Sequence, residues 1–354
     1  MAPQAPHSQV GQLWLIGSGE TSASAHKMYE RMFTALRAPV QLAILETPAG
    51  FEVNSALVAQ RVSNFIQTSM KNFSPSISVI PARRRDGPFS TNDPKLSAPI
   101  LGANCLYLGA GSPTYLVRHL NDTLALRYLL GRHRAGASMC LASAAAIAFG
   151  AKTLPVYEIF KAGDDLHWVD GLDLFGLFGL ELAVVTHWDN REGGAQLDTR
   201  RCYMGMARME QLTRLLPPTT IVLGIDEHTG ILFDFQAEQC QVIGKGRATI
   251  LAQGREEQVY QTGASFPIQT LGPYRLPTDF EAYGPHILGG MEGQEIEVEP
   301  TQGVLDLIQE REEARHAENW AEADSIRLQV AARGFEIQDT SEGPHWRYKG
   351  VGNV

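Results

Sequence analysis

The chain of 354 residues is long enough for one large domain with an appendage, or for two modest domains. Hydrophobic residues make up 44% and charged residues 19%, which forecasts a sizeable core and excludes a wholly disordered chain. With 30 basic against 39 acidic side chains the net charge is -9, which disfavours a protein that grips nucleic acid by bulk charge while leaving room for a local basic patch.

The cysteines, Cys105, Cys140, Cys202 and Cys240, lie far apart, without the spacing of a zinc site or a redox pair. Most sit in apolar runs, where a cysteine is a small hydrophobe, so a reducing compartment is expected. The N-terminal stretch has neither the basic start nor the apolar core of a signal peptide. The greasiest run, GLDLFGLFGLELAVV, is interrupted by Asp173 and Glu181, so no membrane span is expected and the cytoplasm is the expected location.

LWLIG followed by GSGE opens the chain as a buried strand ending in a glycine turn. A helix around SAHKMYERMFTALR, the strand VQLAILET, a second helix (NSALVAQRVSNFIQTSMKN) and SISVIPA follow. CLYLG then leads into GAGSP and the helix TYLVRHLN, and ASMCLA runs into the alanine-rich AAAIAFG. Continuous apolar strands separated by amphipathic helices predict a mainly parallel sheet sandwiched by helices, an α/β fold. Beyond about residue 220, TTIVLGIDEHTGILFDF and QCQVIGKGRATILAQG read as antiparallel hairpins at the sheet's edge. The domain reading is an α/β domain over 1–270, a Pro- and Gly-rich linker or draped arm over 271–302, and a helical tail over 303–354. The tail predicts two helices, the second capped at Gly334, with Leu305, Ile308, Ala323, Ile326 and Val330 buried and Trp346 anchoring a terminal hook.

Ligands of such sheets bind beyond the carboxyl ends of the strands, so the chemistry is sought there. Ser143 stands where an apolar strand meets a run of small residues that starts a helix. A nucleophile there is exposed by the sharp turn and faces free backbone N–H groups; the alternative is a serine that only caps a buried helix. A serine hydroxyl needs a base and an orienting group. His187 ends the strand LELAVVTHW, and Glu227 ends IVLGID, with Asp226 and His228 as neighbouring alternatives. Gly109 and Gly111 of GAGSP let backbone N–H groups approach a substrate closely, and GSGE places Glu20 beside the site. Arg191, in a glycine-rich loop beyond His187, is a candidate partner for a substrate carboxylate. GDDLHWVDGLD fits neither a calcium loop nor a zinc helix, so no metal and no cofactor are expected.

LIGSGE, YLGAGSPTYL, LASAAA, THWDNREGG and GIDEHTG together resemble the cyanophycinase and dipeptidase E group of serine peptidases, within the class I glutamine amidotransferase-like fold. The resemblance covers the first two-thirds of the chain and implies a Ser143, His187, Glu227 triad, with the backbone of Gly111 or a neighbour and of Ala144 binding the oxyanion. It also implies a cofactor-free cut of a peptide bond next to an aspartyl residue. The family's nucleophile motif reads Gly-x-Ser-Ala-Gly, whereas Leu141 and Ala145 stand at the two glycine positions here, and Ala145 is expected to crowd the turn.

AEADSIRLQVAARGFEIQDTSEGPHW is similar to the C-terminal end of cysteinyl-tRNA synthetases. That resemblance does not bring aminoacylation, since the nucleotide-binding domain and the zinc cysteines are missing. Overall acidity favours packing of the tail on the main domain or a second subunit over tRNA binding. The leading expectation is a serine hydrolase of a small peptide or amide, possibly aspartyl in type, working as a homodimer. The alternative is a catalytically silent amidotransferase-like module that binds tRNA or protein through its tail; a cysteine-dependent glutaminase would need Cys140, which belongs inside a strand.

Overall fold

Five apolar runs, each four or five residues long, form the parallel part of a central sheet in the computed structural model: β1 (Leu13–Ile16), β2 (Gln41–Leu45), β3 (Ser76–Ile80), β4 (Cys105–Leu108) and β5 (Ser138–Ala142). The structure describes residues 10–36, 39–277, 302–333, 335–340 and 343–348. The order β3-β2-β4-β5-β1 continues through antiparallel β10 (Thr229–Asp234), β11 (Gln239–Gly244) and β14 (Ser265–Pro267), making eight strands. Central strands β1, β4 and β5 are buried at every position, which is why they read as unbroken apolar runs rather than alternating ones.

Helices α1 (Ala23–Ala35) and α2 (Ser55–Ser69) cover one face of this sheet. Ala25, Met28, Tyr29, Met32 and Phe33 recur at the spacing of one helical face, and that face joins a core with Trp14, Ile16, Cys105 and Cys140. The short α3 (Pro94–Ser97) and α4 (Pro99–Gly102) precede β4; α5 (Pro113–Leu120) and α6 (Leu124–Arg134) help to build the other face. Their starts are chemically marked: the Ser112 and Thr123 hydroxyls accept from the N–H groups of Tyr115 and Leu126, and Pro113 occupies the first turn.

A second, four-stranded sheet packs against that face, in the order β13 (Gln258–Gln261), β12 (Arg247–Leu251), β9 (Ile221–Ile225) and β8 (Leu182–Val185). Its other side is covered by α8 (Gly205–Leu215) through Met209 and Leu212. Lys152–Thr153 (β6) and Val169–Asp170 (β7) make a small ribbon beside it.

The two expected edge hairpins are corrected here. β9 belongs to the second sheet and β10 to the first, so the Asp226–His228 turn carries the chain between sheets; β11 and β12 divide in the same way. Alternating patterns separated by short turns look alike whether the strands pair with each other or part company. The crossing matters for function, because it brings the end of β9 beside the end of β8.

Chain assigned to the linker still packs on the first unit up to residue 277: the Tyr274 hydroxyl donates to the Phe235 carbonyl at 2.7 Å and the Arg275 N–H to the Phe178 carbonyl at 2.9 Å. Residues 278–301 of the expected arm and the Gly334 cap lie outside the described residues. The tail contains the two expected helices, α9 (Gln302–His316) and α10 (Trp320–Ala332), followed by a hairpin of β15 (Phe335–Thr340) and β16 (Gly343–Tyr348). Val304, not Leu305, joins Ile308, Ile326, Val330, Phe335 and Ile337 in its core, since Val304 is one turn from Ile308 on the buried face. Trp346 is 42% exposed in the hairpin rather than an anchor. Among the described residues, no helix is long and apolar enough to cross a membrane.

Candidate active site

Ser143 is the junction between β5 and the five-residue helix α7 (Ala144–Ala148). Its backbone is held at φ 50°, ψ -115°, a conformation that L-residues adopt only under constraint. The constraint is visible on both sides. The Ser143 N–H donates to the Ile16 carbonyl at the end of β1, and its own carbonyl accepts from Ile147. The crowding expected from Ala145 is absorbed: its side chain is fully buried in the core, and its N–H reaches the Gly109 carbonyl at 3.3 Å. Ser143 caps the helix only by position, as its hydroxyl makes no capping bond.

That hydroxyl lies 3.0 Å from His187 Nε2. His187, also at positive φ (50°), follows β8, and its Nδ1 lies 2.9 Å from Glu227 Oε1. A donor proton on Nδ1 facing the carboxylate leaves Nε2 as the acceptor for the serine. The Glu227 carboxyl is held below the ordinary carboxylate range, foremost by the His187 hydrogen bond and further by Asn190, against burial that works the other way. Three strand ends from two sheets therefore converge on one line of hydrogen bonds.

Two residues that the sequence does not single out support this line. Asn190 is fully buried and donates to the same Glu227 oxygen at 3.0 Å. Asp189 accepts the Glu227 backbone N–H at 2.7 Å. Only their places in the turn after His187 hint at such roles. Behind the histidine, Trp188 is fully buried in the core of the second sheet, with the Arg201 guanidinium stacked 3.8 Å from its ring centroid. Arg201, Cys202 and Tyr203 follow one another at positive φ (60°, 56° and 68°), which brings the Cys202 N–H onto the His187 carbonyl and Tyr203 into the site.

A pocket of about 160 Å³ opens in front of Ser143 and His187. Gly111 and Ala144 line it. Gly111 can only be glycine: a Cβ there would stand 1.9 Å from the Pro48 carbonyl oxygen. The Ala144 N–H, first of its helix, has no intrahelical acceptor. The far wall comes from Tyr157 and from Phe160 and Lys161 of a single π-helical turn, Glu158–Ala162.

The other expected pocket residues are elsewhere. Gly109 and Glu20 line a separate cavity of about 230 Å³ on the α2 side of the 109–111 turn. Asp226 is buried and turned away, onto the Arg247 N–H at 3.1 Å and the Arg247 Nε at 3.4 Å. Burial, with Asp189 nearby, raises its carboxyl to about 6. Arg191 is exposed in a turn closed by the Gly194 N–H on its carbonyl, outside the pocket lining. His228 faces the GSGE segment, with Nδ1 3.3 Å from the Ser22 hydroxyl. Cys140 is buried within β5, and burial pushes its thiol well up. Among the described residues, no group of three or more His, Cys, Asp or Glu side chains is arranged to hold a metal ion. In the acidic 163–173 segment, Asp170 pairs with Lys152 at 2.6 Å and Asp173 caps the Gly176 N–H at 3.2 Å.

Residues 10–277 have an α/β fold, with a mostly parallel sheet flanked by helices. It is similar to the crystal structure of a peptidase from an acI-B1 Actinobacterium, with a TM-score of 0.59 at 20% identity over 74% of this chain and 98% of that one. At that identity the likeness is one of fold. Residues 299–347 match the family described as cysteinyl-tRNA ligase anticodon binding domain. The cysteine–tRNA ligase of Moorella thermoacetica is 30% identical over 167 residues, 44% of this chain and 34% of that protein. That of Halorhodospira halophila is 42% identical over 72 residues, 20% of this chain and 14% of that protein. The chain thus spans about a third or less of the length of these ligases.

Proposed function

We propose that the protein is a serine hydrolase that cleaves a peptide or amide bond of a small substrate, with Ser143 as nucleophile, His187 as general base and then acid, and Glu227 as the orienting carboxylate. The observation that carries this reading is the unbroken line from the Ser143 hydroxyl through His187 to Glu227, at 3.0 and 2.9 Å, opening directly on a pocket. Ser143 Oγ attacks the carbonyl carbon while its proton passes to His187 Nε2. The oxygen takes up negative charge and is met by the backbone N–H groups of Ala144 and Gly111. The C–N bond then breaks, and His187 returns the proton to the leaving amine. Water attacks the resulting ester, gives a proton to His187, and releases the acid with Ser143 restored. Glu227 stays ionised and stabilises the imidazolium formed at each half-reaction.

The four cysteines are buried free thiols, which suits a reducing cytoplasm. A fluorophosphonate probe should label the protein, with labelling abolished in Ser143→Ala and reduced at least 100-fold in His187→Ala. Labelling that persists in Ser143→Ala would remove the proposal.

A second reading concerns the tail alone, and the match of residues 299–347 favours it. In this reading the C-terminal unit contacts tRNA beside the hydrolase unit. RNA that co-purifies with the full chain and is lost on deleting residues 303–354 is the expected result; equal RNA content in both preparations counts against it.

A further inference from the structure

The pocket in front of Ser143 has walls of one kind and charges of two. Beyond Gly111 and Ala144, its surface is made by Pro113, Ile147, Val156, Tyr157, Phe160 and Tyr203. Ile147 and Val156 are 2% and 6% exposed, so they form a fixed floor rather than a mobile fringe. The charged lining groups are Lys161 and Glu192, both exposed at the rim, and Glu192 accepts from the Tyr203 hydroxyl at 2.8 Å. Their charges cancel. Arg208, whose guanidinium lies 6.0 Å from the Phe160 ring, is committed to the carbonyls of Met204 and Tyr203 at 2.7 and 2.8 Å.

A carboxylate drawn against such walls would lose its hydration without a buried partner, which is strongly unfavourable. The exposed Lys161 is screened by solvent and opposed by Glu192, so it offsets little of that loss. Each methylene placed on the same walls improves reaction by roughly tenfold or more. Ser143, Gly111 and Ala144 all line the pocket, so a carbonyl held against them would present the group it bears to the same walls.

We infer that the pocket selects an apolar or aromatic group on the acyl side of the scissile amide, in place of an aspartyl one; the inference rests on the hydrolase reading of Ser143. Diphenyl phosphonate analogues of phenylalanine, leucine and aspartate, which place each side chain on the acyl side of an electrophile for Ser143, test it on the full-length protein. The phenylalanine and leucine probes should inactivate at least tenfold faster than the aspartate probe. Phe160→Arg, which puts a cation in the wall, should reverse that order. Equal rates, a faster aspartate probe, or no reaction with any of the three while an alkyl fluorophosphonate still labels Ser143 would each overturn the inference. Failure of the alkyl fluorophosphonate itself would strike the hydrolase reading instead.

Discussion

Asn190 gives its amide N–H to the Glu227 oxygen that also faces His187, and it is fully buried, so water cannot take its place without rearrangement. A hydrogen bond to an ionised group contributes about 1.5–3 kcal/mol, which is about 10- to 100-fold in rate where the charge matters to the transition state. Asn190→Ala should therefore slow fluorophosphonate labelling of Ser143 by about that factor, and raise the pH at which labelling reaches half its maximum, because Glu227 loses a donor that holds its charged form. A slower rate with an unmoved pH profile would assign Asn190 to folding alone. The hydrogen-bonded line of the candidate site was legible to this depth: Ser143, His187 and Glu227 each follow a strand end, and strand ends are visible in a sequence. Asn190 and Asp189 were not, since their roles depend on how one turn folds back over another strand. Lys161 and Phe160 were hidden for a similar reason, sitting in a π-helical turn far from every motif.

The element that aims His187 is the second sheet. Gly224 in β9 has no side chain, and Trp188 lies in the space: a Cβ on residue 224 would stand 2.3 Å from the indole ring. Trp188 is in turn bonded through its backbone N–H to the Ile225 carbonyl at 3.0 Å, so the residue after the histidine is clamped between β9 and the Arg201 guanidinium. Overpacking of this kind costs about 1–3 kcal/mol. Gly224→Ala should lower stability by that order in chemical denaturation and also reduce Ser143 labelling at least tenfold, because a displaced indole carries His187 with it. Lost stability with undiminished labelling would show that the clamp does not position the histidine. At this scale the parallel half of the fold followed directly from apolar runs such as LWLI and CLYL, buried on both faces. The antiparallel half did not. Nothing in GIDEHTG says that its two strands enter different sheets; that is decided by which face finds Leu15 and which finds Trp188.

Across the whole molecule, two carboxylates in two units respond to acid in opposite directions. Asp226 in the first unit is raised to about 6, foremost by burial and next by the charge of Asp189. An unfolded aspartate titrates near 3.8, so between about pH 4 and 6 the folded state holds more protons than the unfolded one. Stability from this group is greatest below that window and declines as pH rises through it. Asp339 in the C-terminal unit is held down to about 2, foremost by the Arg311 hydrogen bonds, which pair both of its oxygens at 2.9 Å. Its contribution is complete above about pH 4 and is lost as pH falls toward 2. Ile308, Ile326, Val330 and Ile337 of the tail form a hydrophobic cluster apart from that of the central sheet, and the expectation is that the tail unfolds as a unit of its own. Scanning calorimetry of the full chain should therefore show two transitions. Burial holds the His133 imidazole of the first unit down to about 4, which costs stability as pH falls through the window where Asp226 adds it. The Asp226 share is therefore read as the difference between wild type and Asp226→Asn, while the transition of the tail should fall between pH 4 and 2. Asp226→Asn should make the first transition fall more steeply between pH 7 and 4 than in the wild type, and Asp339→Asn should flatten the response of the tail, each without altering the other. Deleting residues 303–354 should remove the tail's transition and leave Ser143 labelling intact. A single transition would mean that the chain unfolds as one cooperative body and that the tail is part of the hydrolase rather than an added unit.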